Sequence, residues 1–254
     1  MGRTALAAVL ASAVVGSLGA QAPGTSGQGA WYTAITYVVK PGMMADFKAL
    51  VVNELNPGAK KGGLVQSQVW RFATGNPDRV LRIVLHNSLA DRDAPSLAEK
   101  GMGAEGYRAF VKKRAALVVS MSAYIGQQRL DMSHNPAGSP APKLAERYVV
   151  SVAQGRADEY LRYVQAFLGA ARKTGHRRTA GQIMFGPNAQ GFVSNTYYDS
   201  WADLAKGRPP ARAMSAPEFA AFQKSGQGLM TVVSRDVTIY DPEMSIAPPA
   251  MSSR

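Results

Sequence analysis

The sequence predicts an α+β fold of two tandem β-α-β-β-α-β units, packed sheet to sheet as one intrachain α/β barrel. Three observations lead there. First, the chain matches itself without gaps at a constant spacing of 112 residues: Met102 meets Met214, Ala109 meets Ala221, Phe110 meets Phe222, Lys112 meets Lys224, Leu117 meets Leu229 and Met132 meets Met244. Upstream, Ser88, Ala90 and Asp91 meet Ser200, Ala202 and Asp203 at the same spacing. Self-similarity at a fixed period marks a structural unit used twice. Second, the order of strand and helix periodicities is the same in both halves. Third, a unit with both helices on one face of its sheet leaves the other face bare, and a partly apolar face has to be covered. The second copy is the available cover.

The elements follow in order. Residues 31–40 alternate and are rich in β-branched and aromatic side chains, which predicts a strand ended by Pro41-Gly42. From 43 to 55, Met43, Phe47, Leu50, Val51 and Leu55 fall on one helical face, and Asn56-Pro57-Gly58 is expected to stop that helix. Residues 64–72 and 79–86 read as strands joined at Gly75-Asn76-Pro77-Asp78. Tyr107, Phe110, Val111, Leu117 and Val118 mark a second helix, and 122–130 a fourth strand. The second unit repeats this. A strand at 148–152 precedes a helix carrying Tyr160, Tyr163, Val164, Phe167 and Leu168, and strands at 182–185 and 192–198 flank Gly186-Pro187-Asn188. Ser215 and Glu218 form a capping box for the next helix, and 232–240 is the last strand. The units are thus expected over 31–133 and 146–245, joined by a Pro/Gly-rich linker at 134–145, with loose ends at 23–30 and 246–254. Each has the order of a ferredoxin-like unit.

Composition bounds the chemistry. Arg3 followed by an apolar run at 5–15 and small residues reads as an export signal over 1–22, with a retained anchor as the alternative. The chain is therefore expected to be periplasmic or secreted, and not membrane-spanning once the signal is removed. There is no cysteine, which removes disulfides and thiolate chemistry. The formal charge is +12, with basic clusters at Lys60-Lys61, Lys112-Lys113-Arg114, Arg172-Lys173 and Arg177-Arg178. Such a field favours anionic envelope surfaces, while nucleic acid is not expected because no groove-reading motif is present. Only His86, His134 and His176 could ligate a metal through imidazole, and no spacing among them fits a metal site, so no cofactor and no metal are expected. No G-x-S-x-G elbow supports a serine hydrolase.

Tyr197-Tyr198-Asp199-Ser200-Trp201-Ala202-Asp203-Leu204 passes from an aromatic strand into a Ser/Trp/acidic helix start, and Ser215-Ala216-Pro217-Glu218-Phe219-Ala220-Ala221-Phe222 opens a helix with paired Phe. These segments resemble the dimeric α/β-barrel superfamily, in particular its antibiotic-biosynthesis-monooxygenase-like branch. The resemblance implies a pocket between sheet and helices. Asn195 and Tyr197 share strand parity with Val193, matching Leu81, Ile83 and Leu85 of the first unit, and that face is expected to point toward the helices. A polar Asn195 where the first unit has Ile83 is the most unusual exchange, so Asn195 heads the candidate ligand-binding residues. Tyr197, Trp201, Trp70, Arg71 and Tyr160 complete the set, and no catalytic residue is assigned. Two functions remain: an exported protein binding a small apolar or aromatic ligand or a partner, and a cofactor-independent monooxygenase-like enzyme acting on a phenol or quinol.

Overall fold

A computed structural model describes residues 28–136 and 139–247; the export segment expected at 1–22 lies outside the described residues. Eight antiparallel strands run in chain order as β1 (Gln28–Val39), β2 (Ser67–Phe72), β3 (Arg79–His86), β4 (Val118–Arg129), β5 (Leu144–Val152), β6 (Arg178–Phe185), β7 (Phe192–Tyr198) and β8 (Met230–Tyr240). They close on themselves in the order β1-β3-β2-β8-β5-β7-β6-β4. Within 28–129 the sheet order is β4-β1-β3-β2, and within 144–240 it is β8-β5-β7-β6, the same order in each half.

The closure differs from two sheets laid face to face. The halves are joined edge to edge, β2 with β8 through Trp70↔Tyr240 and Arg71↔Ile239, and β4 with β6 through Gly126↔Ile183 and Gln127↔Gln182. Joining edges satisfies the backbone groups that an open sheet would leave unpaired. It buries both faces of β7, while β4 and β8 keep exposed stretches near their starts. The inner faces supply one core, with Tyr32, Ala34, Trp70, Phe72, Leu81, Ile183, Val193 and Tyr197. Tyr32 sits over Gly126 and Gly181, where a Cβ would overlap its ring.

Outside this interior lie two sheet–helix layers. The first half carries α1 (Met44–Leu50), a π-helical turn (Val51–Leu55), α2 (Asn56–Lys61) and α3 (Leu97–Leu117). Phe47, Leu50, Val51 and Phe110 pack there on Tyr37, Val69 and Val80. The second carries α4 (Ala157–Lys173), α5 (Trp201–Ala205), α6 (Pro209–Ala213) and α7 (Ala216–Ser225). Tyr160, Val164 and Leu168 of α4 pack on Val150, Ala180 and Phe192. Fully burying one such side chain contributes roughly 1.5–3 kcal/mol. The capping box at Ser215 and Glu218 is present, with the Ser215 backbone N–H donating to the Glu218 carboxylate at 2.8 Å.

Several expected boundaries move. Asn56-Pro57-Gly58 does not stop the first helix. The π-turn resets the chain so that Pro57 falls in the first turn of α2, where its missing N–H is tolerated, and the helix runs on to Lys61. β1 starts at Gln28, inside the expected lead-in, and β4 begins at Val118. β5 begins at Leu144, inside the expected linker. The tail is anchored at its start: Ile246 is buried and pairs with Ser67. His134 pairs in the same way with Arg178 in the other half.

Candidate functional site

The six residues singled out from sequence divide four ways. Asn195, Tyr197 and Trp70 come together, but in the barrel interior and not beneath the helices. Trp70 stacks on Tyr197 at 5.8 Å between ring centroids. The Tyr197 hydroxyl shares a 2.8 Å hydrogen bond with Thr179 Oγ1, to which Asn195 Nδ2 donates at 3.4 Å. The helix-facing residues of β7 are instead Phe192, Ser194, Thr196 and Tyr198; both faces of this strand are buried, so alternation did not reveal which face was which. Arg71 neighbours Trp70 on β2, points to the opposite side, and pairs with Asp241 at 3.2 Å. Trp201 is half exposed on α5. Tyr160 lies in the sheet–helix layer of the second half, against Phe192 at 5.0 Å.

That layer holds a second constellation. α4, α6, α7 and the start of β8 border an open cleft of about 390 Å3 lined by Tyr163, Phe219, Phe222, Gln223, Met230 and Arg208. Tyr163 and Phe222 stack at 4.5 Å, fixing one wall. α4 presents Tyr160, Tyr163, Val164 and Phe167 at helical spacing, so Tyr163 reaches the rim while Phe167 lies below. Pro209 and Pro210 start α6 and bend the chain so that Arg208 turns inward under α4.

Two guanidinium groups lie against the Phe167 ring: Arg178 at 4.4 Å and Arg208 at 5.1 Å from its centroid. Arg178, at the first position of β6, is only 4% exposed, although sequence placed it in a basic surface cluster. Its Nε has no hydrogen-bond partner among the described residues, and none of their ion pairs includes it. Burial pushes its pKa down, an effect that Tyr160 opposes and Arg208 reinforces. The nearby carboxylate is Glu146, itself buried and already engaged. It accepts two hydrogen bonds from Arg235 at 2.9 and 2.7 Å, another from Tyr148 at 3.1 Å, and stands 3.5 Å from Arg208 Nε. Burial pushes the Tyr160 hydroxyl up to about 12 against the pull of Arg178, so Tyr160 stays neutral. Glu146 thus answers Arg208 and the mostly exposed Arg235, while Arg178 enters no ion pair among the described residues.

The histidines lie elsewhere. His176, read from sequence as part of a basic loop, is buried; its Nδ1 is 2.9 Å from Thr174 Oγ1 and its Nε2 accepts from Arg212 at 2.9 Å. Burial, then the Arg212 charge, lower its pKa. His86 Nε2 is 2.8 Å from Thr33 Oγ1. Among the described residues no three His, Asp or Glu side chains are grouped as metal ligands, and no helix is long and apolar enough to cross a membrane. Sequence reasoning passed over Arg178 and Arg208 because a charged residue beside others of its sign looks like solvated surface. The parity Arg178 shares with Ala180, which faces α4, is the signal that would have found it.

No family model and no curated protein matches the sequence. Solved structures do match in fold. A candidate monooxygenase from Lactobacillus acidophilus NCFM superposes with a TM-score of 0.56 at 10% identity, over 86% of this chain and 96% of its own. An anthrone oxidase-like protein gives 0.57 at 10% identity, over 84% and 91%. A variant of the chlorite dismutase from Candidatus Nitrospira defluvii gives 0.51 at 11% identity, over 86% and 93%. The fold is what this chain shares with them.

Proposed function

We propose that the chain is a small-ligand-binding protein, and that its ligand is an aromatic molecule held in the second-half cleft. The observation that carries this reading is the cavity of about 390 Å3 whose Tyr163, Phe219 and Phe222 rings converge with one arginine. Concave, largely apolar walls with a few placed polar groups are the usual make-up of such sites. Asn195, Tyr197 and Trp70 then act as packing inside the barrel. In this reading the two halves are tandem ferredoxin-like units, supported by the shared strand order and by the matched Ser67↔Ile246 and His134↔Arg178 bridges. Export, with the basic surface meeting anionic envelope polymers, rests on the N-terminal residues and the charge.

Fluorescence titration with 2-naphthol tests the cleft. Saturable binding is expected, and Ala211→Trp, at an exposed position on the rim, should abolish it without lowering the melting temperature. Binding that ignores Ala211→Trp removes the proposal. A cofactor-independent monooxygenase-like activity on a phenol or quinol is the second reading, favoured by the neighbours described as monooxygenase and anthrone oxidase-like. Oxygen uptake with anthrone, blocked by Ala211→Trp, would select it.

A further inference from the structure

We infer that the ligand of this cleft is an aromatic acid, its carboxylate taken by Arg208 with Arg178 behind it. This rests on the small-ligand reading above and adds the chemical class. Three observations carry it. The walls supply aromatic faces for a flat apolar body. Arg208 lines the cleft beside the aromatic rings, Gln223 and Gln227, and Arg178, which does not line it, flanks the same Phe167 ring as Arg208. Arg178 is the unanswered charge of this layer: Glu146 is bound by Arg235 and stands 3.5 Å from Arg208 Nε, while Arg178 enters no ion pair among the described residues and its buried Nε has no hydrogen-bond partner there.

A buried guanidinium without an anion is costly, and its planar fork is the shape that pairs with a carboxylate through two parallel bonds. A neutral ligand would leave that cost in place. A carboxylate held by Arg208 also brings a negative charge toward Arg178, since both guanidinium groups flank the Phe167 ring. Arg208 is held from behind by stacking on Tyr148 at 4.7 Å and by Glu146 at 3.5 Å, so its position is set before a ligand arrives.

The test compares 2-naphthoate with 2-naphthol on the full chain, two ligands of one ring system differing in charge. Naphthoate is expected to bind at least about tenfold more tightly, the scale of one hydrogen bond to a charged group. Arg208→Gln and Arg178→Met should each narrow the ratio between the two ligands toward one, with folding checked by thermal melts. Arg208→Gln alters a partly exposed side chain, so it keeps the test alive should Arg178→Met not fold. Equal affinities, or a naphthoate preference that Arg208→Gln does not move, overturn the acid assignment while naphthol binding sustains the cleft. Failure of both ligands to bind overturns the small-ligand reading itself.

Discussion

The two sheet–helix layers share a strand order and differ in what fills them. In the first half a buried arginine, Arg82, is answered: its Nη1 donates to Asn56 Oδ1 at 2.9 Å, and Asn56 Nδ2 donates to the Met244 carbonyl at 3.0 Å. In the second half Arg178 is buried to the same degree and its Nε goes unanswered. The helices explain the contrast. The π-turn in the first half lets α2 lie against α3 so closely that Gly58 and Gly101 meet backbone to backbone. The second half has the single long α4 and the α6–α7 elbow, which leave room beside Tyr163. One β-framework thus makes a sealed layer and an open one, depending on how the helices are broken.

The largest effect should come from breaking the seal. A Cβ on Gly101 would overlap the Gly58 carbonyl, a backbone group with nowhere to go. Gly101→Val is expected to cost about 3 kcal/mol or more in chemical denaturation. The same kind of change in α4 should have the opposite sign. Nothing lies within 4 Å of a Cβ on Gly169, and Gly169→Ala should stabilise by about 0.5–1 kcal/mol through helix propensity. Equal effects at the two sites would show that the layers do not differ in closeness.

Asn56→Leu comes next. It removes the group that answers Arg82, leaving a buried guanidinium and the Met244 carbonyl unpaired, and should cost roughly 2–4 kcal/mol. A loss below about 1 kcal/mol would mean that Arg82 reaches solvent without Asn56.

These positions also mark where sequence reading stopped. Strands at 79–86 and 192–198 were legible to the residue because turn residues bound them on both sides. The fold class followed from periodicity. The inner and outer faces did not, because closing the barrel buries both sides of β7, and Asn195 was assigned to the helices when it faces the interior. Asn56, a buried bridge, was read as a breaker because the π-turn before it leaves no mark in hydrophobic spacing. Arg178 was lost among basic neighbours. Of the six candidates, Tyr160 alone is buried in the layer that holds the cleft, Trp201 being half exposed on α5, and the cleft's own arginine was not among them.

Arg178→Met should invert the Asn56 result. Exchanging a buried, unpaired guanidinium for an apolar side chain of similar length is expected to be neutral or to stabilise by up to about 2 kcal/mol, measured without ligand. A protein that gains stability when a buried charge is removed is holding that charge for another purpose. Destabilisation by more than about 2 kcal/mol would instead make Arg178 part of the layer's structure.

The smallest effect is a pH dependence that the two halves share. His176 in the second half has a pKa below its ordinary 6.5, set by burial and then by the Arg212 charge. His86 at the end of β3 is also lowered, by burial and then by Arg92. A lowered histidine is neutral in the fold and protonates first in the unfolded chain. Below 6.5 the unfolded state therefore binds more protons, and stability falls as pH drops from 6.5 toward the folded value. Above 6.5 these two groups contribute no slope. Denaturant midpoints should accordingly be level just above neutrality and decline on mild acidification, before the carboxylates lowered by their partners, Asp203 and Asp91, begin to titrate. His176→Gln should remove part of the decline. Arg212→Met should also reduce it by lifting the repulsion that holds the imidazole neutral, although it frees Asp203 of a 3.0 Å partner. A decline that survives both His176→Gln and His86→Gln would assign the mild-acid slope to neither histidine.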